Sequence, residues 1–363
     1  VTSPIKKKAT NDYYLLILKF LMGKRKFKFT HNKWHLKAFF ALCLFIFSAH
    51  SLAANKFWIA ANDGTEKLWS DSANWTGGNG NAPGGKDVAI FESSRSNAPA
   101  KLTRKVKVGS LKIRKGYSGT INLNGHELRS LQDALLAAGG TILVPTGSLF
   151  RTNRHFTIGQ NATLTASGTG RVFVNANLSI SGTLTAPTSQ GTFHVRGGFN
   201  LYTGGTFNHN DGTVVLTTIY KNDCFGRGAC ARIYIQDGPG TGRNFHDLHK
   251  NWKRGIYLAS HIEIENNLKI DGAGFIDAYY QAINTNYNIT VGGNIDIQKS
   301  NNFYSANGKV ILNGSSAQTI KSPASFKHLQ IDKKSDVSLL KATTATGTLT
   351  IESEAKLDIN GNN

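Results

Sequence analysis

From about residue 86 to the end, the chain is built of short apolar-polar alternations broken by Gly, Asn and Asp. Val106 and Val108 alternate in KVKVGS, Ile121 and Leu123 in TINLNG, and Leu178 and Ile180 in NLSISG. Ile289 and Val291 in NITVGG, and Val310 and Leu312 in KVILNG, repeat the pattern. A period of two sends one side of each strand into a core and the other into water. Val, Ile and Thr favour extended backbone, and the Asn-Gly and Gly-Gly steps supply the turns. So many short strands in succession imply stacked repeats rather than one long loop. The fold class read from this is all-β, a right-handed parallel β-helix, with a β-sandwich array as the alternative.

Repeat spacing favours the solenoid. Asn177–Ile180 and Asn200–Thr203 lie 23 residues apart, about one coil. A longer pair supports it: Phe207–Leu216 matches Phe303–Leu312, and Asn244–Leu248 matches Ser325–Leu329. The first pair is offset by 96 residues and the second by 81, so the earlier copy holds 15 extra residues. Insertions in a solenoid leave its side as loops, and residues 218–239 are read as such a loop. Ser130–Gly139 (SLQDALLAAG) has helical spacing, a capping Ser and a Gly stop, and reads as a short helix or a buried strand pair.

The N-terminal part reads as an export signal. Lys24, Arg25, Lys26, Lys28, Lys33 and Lys37 precede the apolar run Ala38–Ser48, followed by Ser51-Leu52-Ala53. Basic, apolar and small-residue regions in that order make a secretory signal peptide. The run is too short to span a bilayer core of roughly 30 Å. Met22, the one Met of the chain, is the expected start, and cleavage is expected after Ala53. The organisation read here is a leader over 1–53, a Trp-rich cap over 54–92 and β-helix repeats over 93–363. Residues 1–53 carry nine Lys and one Arg against Asp12, so removing them takes the formal charge from +20 to +11. Such a balance suits anionic partners. The basic residues are spread along strands and no nucleic-acid-binding motif is present, so no nucleic-acid partner is expected.

Cys224 and Cys230 are the cysteines left after cleavage. In an oxidising compartment they are expected to pair, closing a short loop worth about 2 kcal/mol. No second Cys/His pair with ligand spacing follows, so His246 and His249 do not suggest zinc; no metal or cofactor is expected. Trp58, Trp69 and Trp75 admit two roles: a sugar-stacking site, or a cap over the first coil. Asp271 and Asp277, with Glu263 and Glu265 upstream, are the best acid candidates for a hydrolase or lyase, but alternation places the two Glu on the solvent-facing side of one strand. No nucleophile elbow, phosphate loop or metalloprotease motif occurs, and no catalytic residue is assigned.

Trp69-Ser70-Asp71-Ser72-Ala73-Asn74-Trp75-Thr76-Gly77-Gly78, then Pro83-Gly84 and Asp87-Val88-Ala89-Ile90-Phe91, resembles the opening of autotransporter-like bacterial surface proteins. Gly308–Gly314, Ala317–Ile320, Phe326 and Leu329–Ile331 are similar to repeats of secreted adhesin-like solenoids. The resemblance implies secretion or cell-surface display and, for some members, adhesion. Partners implied are an anionic surface polysaccharide or host or neighbour-cell glycans, with outer-membrane or cell-surface association and no transmembrane helix in the mature chain. Neither a translocator barrel nor the Asn-Pro-Asn motif of two-partner secretion follows. An uncapped last coil would expose a strand edge, so truncation at the C-terminus is expected.

Overall fold

The computed structural model describes residues 53–363 apart from residues 79, 218–230, 252–254, 272–275, 281–284, 306, 333–335 and 362–363. The leader through residue 52 and the Cys224–Cys230 pair lie outside the described residues. What is described is a parallel β-solenoid with three faces. Two faces are 12-stranded sheets, and the third is a 7-stranded sheet continued by a 5-stranded one. One coil shows the plan: Ala134–Leu136 on face one, Thr141–Val144 on face two, Leu149–Thr152 on face three. The next coil repeats it with Phe156–Ile158, Thr163–Ala166 and Arg171–Val174. Each coil advances about 4.8 Å along the axis.

Pairing is parallel throughout the stack, which rules out the sandwich alternative, whose sheets are antiparallel. Among the described residues the antiparallel pairs are Asn55–Trp58 with Trp75–Thr76, at the start of the stack, and the small hairpin of Tyr279–Tyr280 with Thr285–Asn286. The alternation does what it predicts. Ala134, Phe156, Leu178 and Phe199 form one inward column on face one, while Leu128, Phe150, Val172 and Phe193 form another on face three. All are buried. A fully buried side chain of this size contributes about 1.5–3 kcal/mol, so each coil is held by its neighbours above and below. Close stacking also dictates composition at the corners. A Cβ on Gly159 would stand far inside contact distance of the Ala137 carbonyl oxygen of the coil beneath.

Three sequence expectations change. First, Leu178 pairs with Phe199 and Ile180 with Leu201, so the coil there is shorter than the Asn177-to-Asn200 spacing implies. The slip is even, so the same side chains still point inward. Second, the long repeat is genuine as a local unit but turned by one face. Phe207 sits on face two and leads to Thr213–Leu216 on face three, whereas Phe303 sits on face one and leads to Lys309–Leu312 on face two. The repeated unit is therefore a strand-corner-strand element usable at more than one corner. Third, Arg232–Ile235, placed in the loop by the sequence, is a strand of face one with Ile233 and Ile235 buried. The extra residues lie between Leu216 and Arg232, in a coil whose face-one register runs from Phe199 to Ile233.

Ser130–Gly139 is the strand pair, not the helix. Glu127–Ser130 ends face three and Ala134–Leu136 begins the next face-one strand. Ser130 Oγ does not cap; it faces the Gln132 and Asp133 carbonyls at 3.2 and 2.9 Å inside the corner. The Trp-Ser-Asp motif also has a local reason. Asp71 accepts a hydrogen bond from the Ala73 N–H at 2.9 Å, capping the short turn Ser72–Asn74. The Asn74 amide donates to the Leu68 carbonyl at 3.0 Å. Asp87 ties the segment down by accepting from Ala54 and Gly84. The stack already begins at Asn55–Phe57, which pairs in parallel with Val88–Ile90, before Val88–Phe91 pairs with Ser110–Ile113.

Candidate functional site

The sugar-site reading of the three tryptophans fails on burial. Trp58, Trp69 and Trp75 are 0, 2 and 3 % exposed. Their rings pack on one another and on Phe91 at centroid distances of 4.9–5.4 Å. The Trp58 indole N–H donates to the Ala98 carbonyl and that of Trp75 to the Trp69 carbonyl. No ring face is left for a ligand, and the group fills the interior of the first coils.

Nor do the four acids converge. Asp271 directly follows the face-three strand Leu268–Ile270 and lies 2.8 Å from His249 Nε2. Asp277 is on face one, in Ile276–Asp277. Glu263 is half-buried on face two, and Glu265 pairs with His209 Nε2 at 3.0 Å and accepts from the Asn244 amide. His246 lies 3.2 Å from Asp247.

Asp277 nevertheless belongs to the most site-like surface. Parallel register stacks Arg232, Tyr257, Asp277 and Tyr304 in one outward column of face one, on successive coils. Phe326 packs beside Phe303 at 5.6 Å in the core, which sets Lys327 on the outward side of the following coil. An open depression of about 440 Å³ lies at this end of the column. Asp277, Ser300, Phe303, Tyr304, Ser305, Ser325, Lys327 and Thr346 line it. The Ser305 hydroxyl accepts from the Lys327 backbone N–H at 2.6 Å, locking the floor. Tyr304 is 47 % exposed. Burial, and then the charge of Asp277, push the Tyr257 phenol above its ordinary value.

Toward earlier coils the surface keeps the same character. Arg232 donates from Nε to the Asn200 amide oxygen at 3.1 Å and holds its guanidinium 4.8 Å from the Tyr234 ring centre. Tyr202 meets Tyr234 edge to face at 5.9 Å. Flat aromatic rings beside amide, carboxylate, hydroxyl and ammonium groups suit a ligand with both apolar ring faces and hydroxyls. Asp277 is the one carboxylate among the described lining residues, whereas glycoside hydrolysis uses two.

No protein-family model, curated protein or solved structure matches the chain. The solenoid therefore stands on its own geometry. Among the described residues no helix is long and apolar enough to cross a membrane. The sequence named Asp277 but not Tyr257, Tyr304 or Lys327. Their alignment depends on a short coil from Ile256 to Ile276 followed by a longer one from Ile276 to Phe303. That irregularity hides the column from any fixed-period search.

Proposed function

We propose that this chain is an exported, surface-displayed β-solenoid of the adhesin-like kind, which binds carbohydrate and does not transform it. The observation that carries the reading is the outward column Tyr257, Asp277 and Tyr304, beside an open depression that Lys327 also lines. A saccharide laid there stacks a ring on Tyr304, gives hydroxyls to Asp277 and accepts from Lys327. Export rests on the basic, apolar and small-residue order of the leader. Surface display rests on the resemblance of the Trp69–Phe91 segment to autotransporter-like proteins. A single carboxylate among the described lining residues favours binding over hydrolysis.

A glycan array probed with the full chain tests this. Wild type is expected to retain a subset of glycans. Tyr304→Ala is expected to weaken them by about tenfold, the loss of a stacking ring worth roughly 1–2 kcal/mol. Tyr304 is on the surface, so the variant keeps the wild-type melting temperature. Absence of any retained neutral glycan, or neutral-glycan retention unchanged in Tyr304→Ala, contradicts the assignment.

A further inference from the structure

Face three carries a separate arrangement. Register stacks Lys107, Arg129 and Arg151 directly above one another on its outward side. Phe173 and His194 continue the column, their rings 4.8 Å apart and inclined by 27°. In the sequence these basic residues look dispersed; evenly sized coils gather them.

A second line runs beside the first, one residue past each strand. Asn175, Arg196 and Thr217 are held there by backbone N–H bonds to Thr152, Val174 and Val195 of the preceding coils. Asp271 occupies the same position further along, its N–H bonded to Lys250. Like charges are kept close. Burial, then the neighbouring charges of Arg129 and Arg196, lower the pKa of Arg151, while Glu127 acts the other way. Glu127 itself holds Lys105 at 2.5 Å. Burial, then Arg196 and His249, lower the pKa of His194, leaving a neutral ring beside Phe173 at neutral pH.

The decisive feature is a set of buried polar atoms without partners. Arg151 Nε, Arg196 Nε, Asn175 Oδ1, Thr217 Oγ1 and Asp271 Oδ1 are all enclosed and unpaired. Each such atom costs about 1–3 kcal/mol when left unsatisfied, and a run of them along one face calls for a ligand or ordered water. The set mixes donors with acceptors. Guanidinium groups call for an anion, and the amide, hydroxyl and carboxylate oxygens call for hydroxyls.

We propose that face three is a track for a linear anionic polysaccharide lying along the solenoid axis, with its carboxylates or sulfates on Arg151 and Arg196 and its hydroxyls toward Asn175, Thr217 and Asp271. A nucleic acid fits less well. Its phosphodiesters offer acceptors alone, and single strands stack base after base on successive aromatic side chains, whereas among the described residues this column supplies the Phe173–His194 pair. The track is independent of the face-one depression, and Tyr304→Ala leaves it intact.

The test is equilibrium binding of the full chain to polygalacturonate, dextran sulfate, neutral dextran and a single-stranded DNA oligonucleotide. Polygalacturonate and dextran sulfate separate carboxylate from sulfate as the preferred anion, and tight, salt-sensitive binding of either supports the track. Arg151→Gln with Arg196→Gln is expected to weaken it by about tenfold or more, from two lost charge-assisted hydrogen bonds. Lys112→Gln with Lys115→Gln removes the same charge from exposed sites off this face and is expected to change affinity by less than about twofold. Thr217→Val is a second probe that does not touch charge. It removes an orphaned hydroxyl, so it is expected to keep or raise the melting temperature while weakening the polymer severalfold. Equal loss in both double variants, neutral dextran held as tightly as the anionic polymers by Tyr304→Ala, or equally tight DNA would overturn the proposal.

Discussion

Phe91→Ala is expected to destabilise the first coils by about 3–5 kcal/mol, the usual cost of truncating a fully enclosed phenylalanine. Phe91 is 0 % exposed and is shared by four aromatic neighbours. Its ring centre lies 5.4 Å from those of Trp58, Trp69 and Trp75, and 5.3 Å from that of Tyr117. The indoles of Trp58 and Trp75 are tied to backbone carbonyls and cannot easily collapse into the space. In a solenoid each coil is stabilised by its neighbours, so the loss falls first on the N-terminal coils. Native-state hydrogen exchange checks this: amides between residues 55 and 117 lose protection, while those of the central coils keep theirs. A change below about 1 kcal/mol would mean that the cluster packs loosely.

Lys250→Met is expected to act in the opposite direction. Lys250 is fully buried. It stands in an inward column between Leu216 and Ile270, and its ammonium meets the Asn251 carbonyl at 3.5 Å. Burial pulls its pKa from 10.5 down to about 8, with Asp271 acting the other way. Because the folded value lies below the unfolded one, the unfolded chain binds more protons between about pH 8 and 10.5. Stability therefore rises with pH across that window. Below it both states are charged and the full cost of burying the ammonium is present, on the order of 3 kcal/mol. Methionine has the length without the charge. The variant is expected to be more stable than wild type by about 2–3 kcal/mol at neutral pH, with the gap closing toward pH 10.5. Urea unfolding of both proteins from pH 7 to 10.5 reads this directly. A gap that stays constant with pH would show that Lys250 keeps its ordinary proton affinity in the fold.

Much of the fold is legible in the alternation. Val106, Val108, Ile121, Leu178, Ile180, Ile289, Val291, Val310 and Leu312 are all inward and buried, because a period of two leaves a strand one way to hide its apolar side. Register is less legible, since it depends on how many residues each corner takes. Asn177 looks equivalent to Asn200 in the sequence, yet the latter pairs with Ser179. Both candidate sites depend on register. Lys107, Arg129 and Arg151 are scattered in the chain and adjacent in space. Tyr257, Asp277 and Tyr304 come together through coils of unequal length. The tryptophans mislead in the other direction, because aromatic content alone does not distinguish a ring that packs a core from one that faces a sugar. Ser130–Gly139 shows the same limit: a corner between two strands can imitate helical spacing for two turns.

A solenoid that holds carbohydrate without altering it must return its ligand intact. The most direct measurement is the chain length of a retained glycan polymer before and after prolonged incubation with the full protein. With a neutral polymer, the expected result is one that is bound, held about tenfold more weakly by Tyr304→Ala, and recovered at its original length. Shortened products or new unsaturated ends that depend on Asp277 or Lys327 would contradict it and make the face-one depression an active site.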